Sequence, residues 1–158
     1  MCRGKGQAIE IGGRGRTPIR FGNYNIRDGQ NGGLESALRE MGQSKVDVGV
    51  FQEIKLTYGI YARGSAGYNI VATLVPRRHR NGVALFYWDS PAFAVEAIHQ
   101  FGVNAIACQL ATGGRCWYII RCYVASGDDT TIRDVEAEMA ERPRGMELIV
   151  AGDFDMYL

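Results

Sequence analysis

Three apolar runs in this sequence each end on a side chain that could bind a metal ion or a phosphate. The first run ends on Asn25, the second on Glu53 and the third on Asp153. Each run has the length of a β-strand, and open α/β sheets bind ligands at the carboxyl ends of their strands. Two carboxylates and an amide supply the oxygen ligands that suit Mg²⁺ in phosphoryl chemistry. The set therefore predicts a magnesium site, although each residue alone would be interpreted as a solvated polar side chain.

A βαβ unit is expected to position the first two of these side chains. Alternating residues predict a strand over residues 19–25, and the apolar positions of residues 34–41 repeat at helical spacing. Residues 46–52 then form a largely apolar second strand. A strand, an amphipathic helix and a buried strand imply parallel pairing through a right-handed crossover. Asn25 and Glu53 are thus expected at the same edge of one sheet, and the Asp153 carboxylate is expected at that edge too.

Strands dominate the rest of the sequence. A glycine turn at residues 112–114 predicts a hairpin, and a helix follows with Asp129 or Thr130 as its N-cap and Pro143 beyond its end. Further strands are predicted at residues 68–74, 82–88, 93–100, 104–110, 115–124 and 147–151. This order favours an α/β sandwich over a doubly wound Rossmann sheet. The sequence also lacks G-x-G-x-x-G after a strand and the P-loop pattern, which argues against a nucleotide cofactor.

Length and charge indicate one domain with a basic first half. The chain has 158 residues and a net charge of +1, a size that suits a single core. Residues 1–80 hold 13 Lys and Arg against 6 Asp and Glu, whereas residues 81–158 hold 5 against 11. A basic half suits a polyanion such as nucleic acid, and an acidic half could hold a divalent cation. Solvated surface charge is the commoner cause of either pattern.

Composition also predicts the chain's organisation and compartment. Residues 1–17 are rich in Gly and Arg, so we expect a flexible basic arm, either a disordered tail or a contact to nucleic acid, before a domain over residues 18–158. The four cysteines contain no C-x-x-C pair, which argues against a zinc cluster and favours a reducing, intracellular compartment. No apolar stretch reaches the roughly 18 residues needed to cross a bilayer, so no membrane partner is expected.

Five motifs occur here in the order found in one enzyme superfamily. They are Tyr24-Asn25-Ile26-Arg27, Gln52-Glu53, Gly82-Val83-Ala84-Leu85-Phe86, Arg121-Cys122-Tyr123-Val124 and Gly152-Asp153-Phe154-Asp155. In this order they resemble the endonuclease/exonuclease/phosphatase superfamily, and within it the apurinic-type endonuclease domain of fungal non-LTR retrotransposons. The resemblance runs from about Ile19 to the end of the chain and depends on the ordered set. It implies an α/β sandwich of mixed sheets with helices outside.

The resemblance further implies a magnesium-dependent nick in a DNA phosphodiester, with Mn²⁺ as an alternative cation. Glu53 would hold the metal, and Asn25 would help to fix the metal or the phosphate. Asp153 would orient or deprotonate the attacking water. Tyr123 would hydrogen-bond the scissile phosphate or the leaving oxygen, although a strand tyrosine with a hydrated hydroxyl is the alternative interpretation. Asp155 would be the last member of this catalytic set.

A basic loop is the expected contact to DNA. Arg77, Arg78 and Arg80 surround His79, and such a loop faces either solvent or the DNA backbone. Neither His79 nor His99 has a motif that would place it as a general acid or base. DNA is therefore the expected partner, and the resemblance implies a nuclear location. The sequence gives no indication of the oligomeric state.

Two departures from the superfamily pattern lower the expected activity. Asp155 occupies the place of an Asn, and an ionised carboxylate cannot donate a hydrogen bond to a phosphate oxygen as an amide can. The superfamily's C-terminal segment, with a further Asp and a Ser-Asp-His, has no counterpart before Leu158. We therefore expect an incomplete, C-terminally truncated sandwich with weak or absent activity. The alternatives are a non-catalytic remnant that at most binds nucleic acid, and a phosphatase of the same superfamily.

Overall fold

The computed structural model describes residues 5–11, 18–27, 32–55, 61–63, 65–73, 82–102 and 104–154. Within these ranges the chain forms ten strands and two α-helices. In chain order they are β1 Lys5–Ile11, β2 Ile19–Asn25, α1 Gly33–Gln43, β3 Val48–Gln52, β4 Tyr61–Arg63, β5 Tyr68–Ala72, β6 Val83–Trp88, β7 Ala94–Gln100, β8 Ala105–Thr112, β9 Arg115–Val124, α2 Asp129–Glu141 and β10 Glu147–Phe154.

The strands form two sheets that pack face to face. The six-stranded sheet has the order β1-β2-β3-β6-β5-β4, and the four-stranded sheet has the order β10-β9-β8-β7. Strands β2 and β3 are parallel, as are β9 and β10, while the other neighbouring pairs are antiparallel. Both sheets are therefore mixed, and the predicted α/β sandwich is confirmed.

Alternation along the strands builds the core between the sheets. Val50 of β3 and Ile119 of β9 point into this layer, whereas their neighbours Phe51 and Ile120 point to the outer faces. Because side chains alternate across a strand, the inward face continues two residues further along each strand. Polar residues occupy those next inward positions, at the end of the sandwich where β3 and β10 finish.

Each helix covers the outer face of one sheet. The apolar side of α1 packs on the six-stranded sheet, as its helical spacing predicted. Helix α2 covers the four-stranded sheet through Ile132 and Val135. Its N-cap is Asp128, whose carboxylate accepts from Thr131 N–H at 3.0 Å. The predicted cap at Asp129 or Thr130 is therefore wrong, because a turn closed by Asp128 N–H on Ala125 O starts the helix earlier.

Two local predictions agree with the structure. Strands β2 and β3 pair in parallel across α1, as expected of a βαβ unit. Strands β8 and β9 form the expected hairpin, in which Thr112 pairs with Arg115. Gly113 and Gly114 between them have φ values of 57° and 73°, and such a two-residue turn requires positive φ at both positions. The glycine pair is therefore what allows the tight connection.

The structure corrects the expectation of a flexible arm for residues 5–11. They form β1, which pairs antiparallel with β2 from Lys5 opposite Asn25 to Ile11 opposite Ile19. A strand of almost any amino-acid composition can form main-chain hydrogen bonds with a neighbouring strand. In addition, Ile11 packs at the margin of the core between the sheets. The Gly and Arg content did not reveal either feature. The rest of the predicted arm, residues 1–4 and 12–17, lies outside the described residues, and β4 was not predicted.

The cysteines among the described residues are free thiols. Cys108 and Cys122 are buried free thiols, and burial raises the pKa of both, that of Cys108 to about 12. These two thiols therefore stay protonated at neutral pH and act as small apolar side chains. Cys116 is an exposed free thiol near the hairpin turn. In the described part of the chain, neither helix is long and apolar enough to cross a membrane.

Candidate active site

The ends of β2, β3 and β10 meet at one end of the sandwich. Asn25 is the last residue of β2, Glu53 follows β3, and Asp153 lies near the end of β10. Asn25 Nδ2 donates to Glu53 Oε1 at 2.6 Å and to Asp153 Oδ2 at 3.2 Å. One amide therefore joins carboxylates that are carried by different sheets. The expectation that both carboxylates lie on one sheet edge is wrong, because β10 pairs with β9 rather than with β3. The structure brings together the three residues for which the sequence predicted a common site.

A backbone contact fixes the direction of the Asn25 amide. Arg27 N–H donates to Asn25 Oδ1 at 2.9 Å, so the amide oxygen is occupied and the NH₂ group faces the carboxylates. This pattern of donors and acceptors assigns the two ends of the amide. In this arrangement Asn25 orients Glu53 and Asp153. Its role as a ligand of metal or phosphate stays a prediction.

The carboxylate oxygens of Glu53 and Asp153 suit an Mg²⁺ ion that has few protein ligands. Glu53 and Asp153 face the same nitrogen, and two neighbouring carboxylates repel each other unless a positive charge offsets them. Their oxygens are hard ligands, and Mg²⁺ takes one or two protein carboxylates while it keeps several waters. Across the described ranges no group of three His, Cys, Asp or Glu side chains could hold a metal. The two carboxylates suit Mg²⁺ or Mn²⁺ bound together with water and substrate oxygens.

Glu53 leaves its strand with an unusual backbone conformation. Its φ is 50°, a left-handed value that costs a non-glycine residue about 1–2 kcal/mol. Ile54 is fully buried and its N–H donates to Gly82 O at 3.4 Å, which holds the chain in this turn. Lys55 Nζ lies 3.9 Å from Glu53 Oε2 on the partly exposed side. The strained turn thus directs the Glu53 carboxylate towards Asn25 at a place where strain often accompanies function.

An open cleft of about 370 Å³ lies beside the carboxylates. Asn25 and Asp153 line it, and Arg27 brings a positive charge to its wall. Gly6 of β1 also lines the cleft, so the strand that was expected to be flexible forms part of the site. The remaining lining residues are Asn23, Gln52 and Gly152. Because an arginine attracts phosphate oxygens, the Arg27 side of this lining suits a phosphate-bearing ligand.

Tyr123 lies on the strand next to Asp153. The two residues are partners in the parallel register of β9 and β10. Tyr123 is partly buried, and its N–H donates to Asn104 O at 2.9 Å. The two-residue period of β9 gives Tyr123 the same inward face as Ile119. The predicted contact between Tyr123 and a phosphate stays a prediction, with its position next to Asp153 now known.

The remaining predicted site residues lie outside the described part of the chain. They are Asp155 and the loop residues Arg77, Arg78 and Arg80, together with His79. His99 is described, and its Nε2 lies 2.9 Å from Glu138 Oε1 of α2. This contact is on the helix-covered face of the four-stranded sheet, away from the cleft. It agrees with the expectation that His99 is not a general acid or base.

Solved structures with the same architecture identify the fold, although no family model and no curated protein matches the chain. The endonuclease domain of TRAS1, a telomere-specific non-LTR retrotransposon, has a TM-score of 0.64 and 15% identity over 89% of this chain and 61% of its own. Humanized D. rerio TDP2 has a TM-score of 0.61 and 16% identity over 85% and 65%. The human Nocturnin catalytic domain with bound sulfate has 0.60 and 18% over 94% and 68%.

This chain has the endonuclease/exonuclease/phosphatase fold. The match to TRAS1 agrees with the resemblance to retrotransposon endonucleases that the five motifs indicated. Identities of 15–18% establish the fold alone. The chain spans 61–68% of the length of these three structures.

Within this endonuclease/exonuclease/phosphatase fold, a layer of amide contacts lies directly beneath the carboxylates. Asn23 Oδ1 accepts from Gln52 Nε2, and Asn23 Nδ2 donates to Gly152 O at 3.2 Å. The layer joins the two sheets because Gly152 belongs to β10 and Gln52 to β3. Asn23 and Gln52 fall within or beside the five motifs, but sequence reasoning gave them no role.

A buried arginine forms a second layer, one step deeper. Arg121 is fully buried, with 0% of its surface exposed. Burial lowers its pKa to about 9, while the charge of Asp153 opposes this change. The guanidinium is therefore protonated at neutral pH. The sequence indicated that Arg121 would be buried, because it lies two residues after Ile119 and therefore on the same inward face of β9.

Proposed function

We propose that this chain is part of a metal-dependent phosphodiesterase that nicks DNA, of the retroelement endonuclease kind. The observation that carries the proposal is the convergence of Glu53 and Asp153 on the Asn25 amide beside an open cleft. Phosphoryl transfer needs little covalent chemistry from the protein, since positioning and charge stabilisation supply most of the catalysis. Two carboxylates on separate sheets, linked by one amide, provide a rigid arrangement of that kind.

Each residue has a separate task in this proposal. Glu53 holds Mg²⁺ or Mn²⁺, which when bound polarises a phosphoryl oxygen. Asp153 orients and deprotonates the attacking water, and Asn25 keeps the two carboxylates at a fixed separation. Tyr123 donates a hydrogen bond to the scissile phosphate, and Arg27 attracts the phosphate into the cleft. Asp155, two residues after Asp153, is the remaining proposed member of the set.

DNA is the proposed substrate for two reasons. The first half of the chain is basic, with 13 Lys and Arg against 6 Asp and Glu, which suits a polyanion. Among the structures of this fold, D. rerio TDP2 has been solved with a single-strand DNA product, at a TM-score of 0.58 and 15% identity over 78% of this chain and 53% of its own. The resemblance to retrotransposon endonucleases supports a nuclear location.

Nicking of supercoiled plasmid tests the proposal. With Mg²⁺ or Mn²⁺ we expect open circles to form, and with EDTA we expect none, because the two carboxylates need a cation to act on phosphate. Asp153→Asn removes the proposed base and should slow nicking by roughly 100-fold or more. Gel densitometry over time gives the rates. Absence of nicking would favour the non-catalytic remnant, and release of phosphate from small monoesters without nicking would favour a phosphatase.

The basic loop should contribute the salt-dependent part of DNA affinity. Replacing Arg77, Arg78 and Arg80 together by Ala is expected to weaken DNA binding and to reduce the slope of log K against log salt by roughly 0.7–0.9 for each phosphate that is no longer neutralised. Fluorescence anisotropy of a labelled duplex between low and moderate salt measures the slope. The matched control replaces three arginines of α2 and the following loop, Arg133, Arg142 and Arg144. An equal change in slope for both triple variants would contradict the assignment.

A further inference from the structure

Arg121 binds both strands that carry the carboxylates. Its Nη1 donates to Ala151 O of β10 at 3.0 Å, and its Nη2 donates to Phe51 O of β3 at 3.4 Å. Ala151 lies two residues before Asp153, and Phe51 lies two residues before Glu53. One guanidinium therefore joins the two sheets. Each of the two residues that accept from it lies two positions before a carboxylate of the site.

The amide layer above Arg121 repeats this connection one residue closer to the site. Asn23 contacts Gly152 O and the Gln52 side chain, and these two residues directly precede Asp153 and Glu53. Asn23 is itself two residues before Asn25. Each residue of the site is thus held by a contact to its own strand just below it. The contacts join the two sheets directly below the carboxylates.

A fully buried guanidinium is a costly way to fill an inward position. Within the described part of the chain, the hydrogen bonds of Arg121 go to the backbone oxygens of Phe51, Ala151 and Cys122 rather than to a carboxylate. Burying such a charge without an ion-pair partner is unfavourable, and the preceding inward residues of β9, Trp117 and Ile119, are apolar. The planar fork of arginine offers what an apolar residue cannot, since it holds several acceptors in one fixed geometry.

We propose that Arg121 is a positioning residue, which binds Phe51 O and Ala151 O with one rigid group and so sets the separation of Glu53 and Asp153 for a divalent cation. The inference rests on the proposed function, because the cation is part of that proposal. It goes beyond it by assigning the metal affinity of the site to a residue that touches neither metal nor substrate. The positive charge of Arg121 alone is not sufficient, since the two contacts require two nitrogens in one plane.

Arg121→Lys separates geometry from charge. Lysine keeps the positive charge, but its single nitrogen cannot repeat the planar fork that contacts Phe51 O and Ala151 O. We expect Mn²⁺ to bind about 10-fold more weakly to this variant, as is usual when a group that orients metal ligands is removed. Electron paramagnetic resonance of free Mn²⁺ measures the affinity without any turnover. Val135→Ala, in the buried contact under α2, is the control for lower stability, and its Mn²⁺ affinity should equal that of the unaltered chain.

A second readout needs no metal. The side-chain NH₂ resonances of Asn25, assigned through their disappearance in Asn25→Ser, report the two hydrogen bonds to Glu53 and Asp153. They should shift in Arg121→Lys and stay in place in Val135→Ala. If the unaltered chain binds no Mn²⁺, the proposed metal site is wrong, and unshifted Asn25 resonances would separately overturn the role of Arg121.

Asn23→Ser keeps the test decisive if Arg121→Lys does not fold. This variant removes the donor to Gly152 O and leaves Arg121 intact. It should weaken Mn²⁺ binding by at least about threefold, the effect of removing one hydrogen bond. Unchanged Mn²⁺ affinity in Arg121→Lys, or in Asn23→Ser if only that variant folds, would mean that contacts between the sheets below the site do not set the separation of the carboxylates. That result would overturn the inference, as would equal weakening in Val135→Ala.

Discussion

Glu53→Gln is expected to slow Mg²⁺-dependent nicking by roughly 100-fold or more, an effect of about 2.7 kcal/mol on the activation free energy. Glutamine has the same shape and keeps an oxygen to accept from Asn25 Nδ2, so the hydrogen bond at 2.6 Å can persist. The substitution removes only the negative charge that would hold a divalent cation. Plasmid nicking rates over a range of Mg²⁺ concentrations measure the change, and raised Mg²⁺ should restore part of the activity if metal binding is what the substitution weakens.

The control for this substitution is Glu96→Gln, which removes an exposed carboxylate on β7, far from the cleft. It should leave the nicking rate and its Mg²⁺ dependence unchanged. Thermal melting should be similar for both variants, because neither position lies in the core. A Glu53→Gln protein that nicks DNA as fast as the unaltered chain would exclude Glu53 as the metal-binding residue.

The sequence predicted the sandwich well where its patterns are local. The βαβ unit follows from one strand period and one helix period, and the Gly113-Gly114 hairpin from the turn that two positive φ values allow. Strand β1 was missed because its stability comes from main-chain pairing with β2, which composition does not encode. The cap of α2 was misplaced since Asp128 and Asp129 have equal capping chemistry, and a preceding turn decides between them.

The candidate site was predictable as a set of strand ends but not as a set of contacts. Asn25 and Glu53 could be grouped because parallel strands deliver their carboxyl ends to one edge. Asp153 belongs to the other sheet and reaches them only through the packing of the two sheets. The orientation of the Asn25 amide depends on Arg27 N–H, and the link between the sheets depends on how they pack. Neither can be derived from residue spacing. Arg121 shows the limit most clearly, since its inward position could be inferred while its partners Phe51 and Ala151 are distant in sequence.

Gly152→Ala is expected to be the most damaging single change near the site that replaces none of the proposed catalytic residues. A Cβ at this position would overlap the backbone oxygen of Cys122 on β9 and lie 3.0 Å from Arg121 Nη1. A backbone oxygen in a paired strand cannot move aside as a flexible side chain can, so β10 would have to shift away from β9. Such overpacking costs about 1–3 kcal/mol of unfolding free energy, and this close approach of β9 explains why glycine is needed at position 152.

The same shift would move Asp153, the next residue, and misplacement by about 1 Å can cost a site roughly 100-fold in rate. We therefore expect Gly152→Ala to lower the melting temperature and to reduce nicking and Mn²⁺ affinity together. Gly42→Ala in α1 is the matched control, because its Cβ would meet Tyr68 at an ordinary 3.8 Å and alanine favours helix by about 1 kcal/mol. Calorimetry and nicking assays on both variants decide the matter: normal stability and activity in Gly152→Ala would mean that β10 is not held tightly against β9, and that the separation of the carboxylates is set elsewhere.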